Sequence, residues 1–402
     1  MKSKFAAIFY LAFLTISCAP NHMSMMSRMG MPGAISKPQA SDEEVSVEEF
    51  EGINTADFSS LENIIDSVKD KKIVFVGEQH DQNSHHQVQF EFVKGLHERG
   101  GKIAVGMEMF QRPFQQFMDQ YLNGEIDEKE FLGKTEYFTR WSYNYHYYKP
   151  IIDYCKANKL PIIAMNAPKE YTRKVSRLGI DSLSAEERAL IPAEMDMTNE
   201  AYEKRLREIF SAHAPGPIKG FENFYQSQVL WDETMAESVH NFLVKNPDHQ
   251  VIVIVGSGHL MYGDGIPDRT FRRGEYDQSI IINHMGQLPT RDYADYIIFT
   301  EYVPDPFNFK LGVFLESADD GLLITDTVPG KIGQRCGLEK GDVIIKTDGE
   351  STKTLPELKL ELFYKKETDT VKLEIIRPRW LLSDKTMEIS LKPEEKTKNM
   401  MD

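Results

Sequence analysis

Cysteine is scarce in this chain: three residues in 402, Cys18, Cys155 and Cys336. So sparse a set excludes a disulfide framework and a Cys-x-x-Cys zinc or redox pair. The helical zinc signature H-E-x-x-H is absent as well. Ser257, in Gly256-Ser257-Gly258-His259, does not stand in a G-x-S-x-G elbow, so no serine nucleophile is announced. Basic charge is in deficit, with 47 Lys and Arg against 62 Asp and Glu and a formal net charge of −15. That balance speaks against a nucleic-acid partner, whose phosphates need a basic footprint. It speaks equally against electrostatic adhesion to an anionic membrane. After Cys18 no apolar run is long enough to span a bilayer.

What is present begins with an address. Met1-Lys2-Ser3-Lys4 is a basic n-region, and Phe5 to Ile16 is an apolar stretch of signal-peptide length. Leu14-Thr15-Ile16-Ser17-Cys18 is similar to a bacterial lipobox, with Thr15 a departure from the usual Leu. The expectation is a signal peptide over 1–17, lipidation of Cys18, and a membrane partner reached through that lipid anchor. This places the chain in a bacterial cell envelope, at the outer membrane. Residues 18–50 read as a disordered tether, first Met-rich and then acidic.

Four short apolar runs then each end in a small polar motif. Lys72 to Val76 leads into Gly77-Glu78-Gln79-His80, and Ile103 to Val105 into Gly106-Met107-Glu108-Met109. Pro161 to Met165 leads into Asn166-Ala167-Pro168, and Val251 to Val255 into Gly256-Ser257-Gly258-His259. Runs of this kind, separated by helical stretches, read as strands buried on both faces of a parallel sheet. Ile280 to Ile282 and Tyr296 to Phe299 would complete it. The predicted fold is α/β: a mainly parallel sheet flanked by helices over residues 51–303, with a helical insert and a small β-rich domain over 304–392. Ser84 to Arg99 reads as a helix on Val88, Phe92, Val93 and Leu96, with His85 and His86 expected in solvent. Gly124 to Phe138 and Ser184 to His213 read as charged helical inserts, the second opened by a capping box at Ser184. Asn223 to Asn246 reads as a long amphipathic helix.

Parallel strands deliver their following loops to one edge, where α/β proteins bind ligands. Glu78, His80, Glu108 and His259 therefore become neighbours. Such a set has two chemical readings: a divalent-metal site or a water-activating acid/base set.

Those same motifs, Gly-Glu-Gln-His, Gly-Met-Glu-Met-Phe and Gly-Ser-Gly-His, resemble the ChaN-like family of bacterial haem-binding, iron-regulated lipoproteins, over about Phe58 to Ile298. Its wider superfamily includes the erythromycin esterases and the TraB/Tiki-type proteins. The resemblance implies haem held at the surface or between the subunits of a homodimer, with a tyrosine as the iron ligand. No Cys-x-x-Cys-His is present, so covalent c-type attachment is excluded. The segment Trp141 to Pro150 suits a haem best. Tyr148 is the first choice for the iron, with Tyr147 and Tyr145 as rivals, because a phenolate suits ferric iron. Arg112, Arg140 and Lys149 would meet the propionates. Kinship also admits hydrolases that use the Glu/His pair.

The carboxyl-terminal pattern differs. Lys310 to Leu315, Gly321 to Ile324 and Gly337-Leu338-Glu339-Lys340-Gly341-Asp342-Val343-Ile344 resemble a PDZ domain. In that family an apolar-Gly-apolar loop, here Leu311, Gly312 and Val313, presents N–H groups to a peptide or protein C-terminus. Leu358, Leu362 and Phe363 would lie on the helix beside the groove. Two functions follow. One is a haem-binding lipoprotein for haem or iron acquisition with a docking module. The other is a periplasmic hydrolase built on the Glu/His set. The balance favours a binding protein.

Overall fold

Six strands carry the first layer: β1 (Ile73–Glu78), β2 (Ile103–Gln111), β3 (Ile162–Asn166), β4 (Gln250–Gly256), β5 (Gln278–Asn283) and β6 (Tyr296–Ile298). Every pairing among them is parallel, in the order β3-β2-β4-β1-β5-β6. This computed structural model describes residues 57–213, 220–286, 289–379 and 383–393. The signal-peptide, Cys18 and tether expectations lie outside them.

Strand alternation builds two cores from one run of residues. Val74 and Val76 of β1 join Phe92, Leu96, Ile151 and Ile152 on one face. Ile73 and Phe75 join Met235, Val239 and Leu243 of the Phe221–Lys245 helix on the other. Both faces are covered, which is why these strands are continuous apolar runs.

The helices follow the sequence pattern with two differences. The Ser184 capping box closes only a four-residue helix, Ala185–Arg188. Pro192 cannot continue it, and helix resumes at Glu200–His213. The second concerns His85 and His86, at the start of the Asn83–Glu98 helix, which are buried rather than solvated.

The second sheet is antiparallel: β7 (Val313–Ala318), β8 (Gly321–Thr327), β9 (Val343–Thr347), β10 (Glu350–Ser351), β11 (Val371–Arg377) and β12 (Lys385–Leu391). Its path runs β12-β11-β9-β8-β7, so β7 is an edge strand. The Leu355–Phe363 helix packs Leu358 and Leu362 into this module's core. Phe363, the helix's last residue, enters the core of the first domain instead. Leu358, Leu362 and Phe363 thus lie on one helix, as expected, and serve two cores.

Candidate functional site

β1 and β4 end side by side, with Glu78 opposite Gly256 in register. The Gly256 N–H donates to Glu108 Oε2 at 2.8 Å. His80 Nδ1 lies 2.7 Å from Glu78 Oε1, and His259 Nε2 lies 3.6 Å from Glu108 Oε1. A Cβ on Gly256 would stand 2.8 Å from His80 Cε1, so only glycine admits this approach. Glu78, His80, Glu108 and His259 therefore meet at the carboxyl edge of the sheet.

Further buried groups orient them. His259 Nδ1 is paired with Asp232 Oδ1, and Asp232 Oδ2 accepts from the Tyr202 hydroxyl at 2.6 Å. The second oxygen of Glu78 lies 2.7 Å from His86 Nδ1. Trp141 and Tyr143 stand over the His80 ring at 4.9 and 4.8 Å between centroids. The side chains of His80 and His259 are 20 % and 15 % exposed while those of Glu78 and Asp232 are fully enclosed, so a ligand would meet the imidazoles.

The electrostatics follow from this pairing. Burial pushes His259 down, but the carboxylates of Asp232 and then Glu108 carry it up to about 10. His80 is likewise raised, against burial, by Glu78 and Glu108. Burial would raise Glu78, Glu108 and Asp232; their imidazole neighbours outweigh it and hold all three below the usual carboxylate range. At neutral pH His259 is a cation and these carboxylates are anions. Such a set can donate a proton or clamp an anion, but its carboxylates are weak proton acceptors. Among the described residues, no group of three or more His, Cys, Asp or Glu side chains is arranged to hold a metal ion. The divalent-metal expectation therefore finds no support.

The aromatic segment is placed differently from expectation. Tyr148 is fully buried, donating to Glu78 Oε1 at 3.0 Å and accepting from Trp141 Nε1 at 3.3 Å. Burial and then the Glu78 charge hold its hydroxyl well above the ordinary range, far from a phenolate. Its hydroxyl is engaged in positioning Glu78. Tyr145 is buried and raised in the same way. The three cations are committed elsewhere. Arg112 pairs with Glu237 at 2.7 Å, and Arg140 with Glu136 and Glu170 at 2.8 and 2.9 Å. Lys149 pairs with Glu128 and Asp153.

Tyr147 remains. Its ring stacks on His86 at 4.6 Å and its hydroxyl donates to Asp305 at 2.8 Å. It lines an open-sided cavity of about 760 Å³ between the Asn83–Glu98 helix, the Tyr145–Tyr147 turn and the segment from Val303 to Pro306. Phe90, Pro150, Val303, Pro304 and Pro306 supply apolar wall; Glu91, Asp153 and Lys149 also line it, the lysine already paired with Asp153. His146 also lines it. Asn144 Oδ1 accepts from His146 Nδ1 at 2.9 Å, which leaves Nε2 as the ring's acceptor. Burial and then Lys149 lower His146, so it is neutral at pH 7. A phenol, a neutral imidazole and apolar walls fit a haem.

His86, His146, Asp232 and Asp305 escaped the sequence reading. Two left a signal. His85 and His86 continue backwards the stripe of Val88, Phe92, Val93 and Leu96, which is expected inside. Asp232 falls on the stripe Tyr225, Val229, Ala236 and Val239 of the long helix, where a carboxylate needs a partner.

In the second module Gly312 has φ +68°, and a Cβ there would collide with Lys331. The Leu311 side chain is buried in the module core, and Val313 opens the edge strand.

Fold and site together define an α/β protein with a strand-end Glu/His set and a PDZ-like module. Residues 64–270, just over half of the chain, match the family described as haem-binding uptake, Tiki superfamily, ChaN, and residues 303–376 match the PDZ domain. The chain belongs to that ChaN haem-binding uptake family. Among curated proteins it is 24 % identical over 253 residues to Protein RETICULATA-RELATED 5, chloroplastic, of Arabidopsis thaliana, covering 56 % of this chain and 34 % of that one. The chain thus spans about a third of the length of that relative. Among solved structures, ChaN of Campylobacter jejuni with cofacial haem binding is 17 % identical, with TM-score 0.49, covering 60 % of this chain and 91 % of that one. A mutant of the erythromycin esterase EreC in its open conformation is 16 % identical, with TM-score 0.34, covering 55 % and 72 %. The HtrA3 PDZ domain bound to a phage-derived ligand is 19 % identical, with TM-score 0.19, covering 22 % and 86 %.

Proposed function

We propose that this chain is a haem-binding lipoprotein of the bacterial envelope that serves haem or iron acquisition and docks a partner through its PDZ-like module. Family membership supports haem. The observation that carries the site is the donor set at the cavity: Tyr147 and neutral His146 beside the apolar wall of Phe90, Pro150 and Pro304. Bound haem would supply a ferric iron, a centre that suits a hard oxygen donor. Tyr147 would furnish that oxygen. Burial and then Asp305 now hold its proton on, so ligation requires the proton to leave, and Asp305 already accepts that hydrogen bond. His86, stacked on Tyr147, fixes the ring. The lipobox-like run at Cys18 supports a lipid anchor, and the ChaN-like resemblance a homodimer. Haemin titration followed by absorbance tests the reading, with Tyr147→Phe as the diagnostic variant.

A second reading, a periplasmic hydrolase, is favoured by one observation: His80 and His259 flank Glu108, each oriented by its own buried carboxylate. The charge state described above suits a general acid better than a base, which ranks this reading second. Ester hydrolysis lost in both His80→Ala and His259→Ala, with the fold retained, would promote it.

A further inference from the structure

We propose that the PDZ-like groove and the cavity beside Tyr147 are coupled, each ligand tightening the other. This rests on the haem and peptide-docking readings above and adds a regulation to them.

The contact is direct. The Leu355–Phe363 helix has two faces in two cores. Leu358 and Leu362 pack in the module. Phe363 packs in the first domain, its ring 4.3 Å from that of His146, a cavity-lining residue, and 5.3 Å from that of Tyr145. Glu361 on the same helix pairs with Lys129 of the first domain at 2.7 Å. The opposite wall belongs to the module too. Asp305 accepts from Tyr147, Asn83 Nδ2 donates to the Pro304 carbonyl at 2.6 Å, and Phe309, four residues beyond Asp305, is buried in the module core. The module thus holds the cavity from both sides.

A peptide that docks as an added strand would pair with β7, the edge strand. Val313 and Leu315 of β7 pack against the core that holds Leu358, Leu362 and Phe309, so pairing that edge would restrain this core and, through it, the Phe363 and Pro304–Asp305 contacts on the cavity. Haem entering a cavity already ordered forfeits less conformational freedom, so the coupling is positive. Linkage makes it reciprocal.

The test uses the full chain and a peptide selected against it from a library displayed with free C-termini. The amidated form of that peptide is the control. Haemin Kd, read from Soret absorbance, should fall about fivefold or more at saturating peptide. Peptide Kd, read by fluorescence anisotropy, should fall by the same factor with haemin bound. Phe363→Leu keeps a buried apolar side chain but withdraws the ring from His146; both ligands should bind and the factor should approach one. Glu361→Gln, which removes the Lys129 pair and leaves Phe363 in place, should lower the factor and covers the case in which Phe363→Leu fails to fold. A peptide that binds while haemin Kd stays the same or rises overturns the coupling alone. An undiminished factor in both variants overturns the helix as its route. Absence of any haemin binding, or of any selectable peptide, removes the reading beneath and the coupling with it.

Discussion

Replacing Asp232 with Asn removes the charge that does most to keep His259 protonated. In the intact protein burial works against the cation, and the Asp232 carboxylate is the first of the groups that carry it to about 10. Asn preserves the size of the side chain and leaves Glu108, 3.6 Å from Nε2, as the neighbouring carboxylate. His259 should then titrate at least ~2 units lower, equivalent to ~2.7 kcal/mol of lost differential interaction. Asp232 is fully buried and also receives the Tyr202 hydroxyl, so the variant should lose about 3–5 kcal/mol of stability, the range for breaking a buried ion pair. The sign with pH is set by a raised folded-state value. The contribution of His259 is complete below its ordinary value of 6.5 and is lost as pH rises through about 10. Wild type should therefore weaken between those limits, and Asp232→Asn should lack that part of the loss. Histidine Cε1–H NMR titration and urea unfolding at pH 6, 8 and 10 measure both effects. A wild-type His259 that titrates at its ordinary value, or one indifferent to Asp232→Asn, would refute the reasoning.

Tyr148→Phe should leave the haemin spectrum unchanged and lower stability by about 1–3 kcal/mol, because the buried Glu78 carboxylate loses a donor; altered charge-transfer bands would return Tyr148 to the iron. Gly312→Val should abolish selected-peptide binding and lower the melting temperature, because the site has φ +68° and no room for a Cβ; unchanged binding would remove that loop from the docking site. Cys18→Ser should leave the protein soluble or held as an uncleaved precursor; continued membrane association of a signal-cleaved form would refute the lipid anchor.

The sheet was legible because burial on both faces writes a parallel strand as an unbroken β-branched run, as in Val251 to Val255. Topology alone then brought Glu78, His80, Glu108 and His259 to one edge. What escaped depended on which way individual side chains turn. Tyr145, Tyr147 and Tyr148 are nearly consecutive and all buried, and composition cannot say that only Tyr147 borders the cavity. The cations expected to be free, Arg112, Arg140 and Lys149, find partners up to 125 residues away in sequence, which local pattern does not show. The helical break after Ala185–Arg188 is written in Pro192, whereas the capping box at Ser184 marks only where a helix starts, not how far it runs.

The most direct test of the central claim is a haemin titration of the full chain, wild type against Tyr147→Phe, followed by absorbance from the Soret to the charge-transfer region. Saturable binding with the bands of a ferric, oxygen-ligated haem, lost or altered in Tyr147→Phe while the fold is retained, is the expected result. A wild-type chain that leaves the haemin spectrum unshifted, or a Tyr147→Phe spectrum identical to wild type, would contradict the assignment of this cavity to haem.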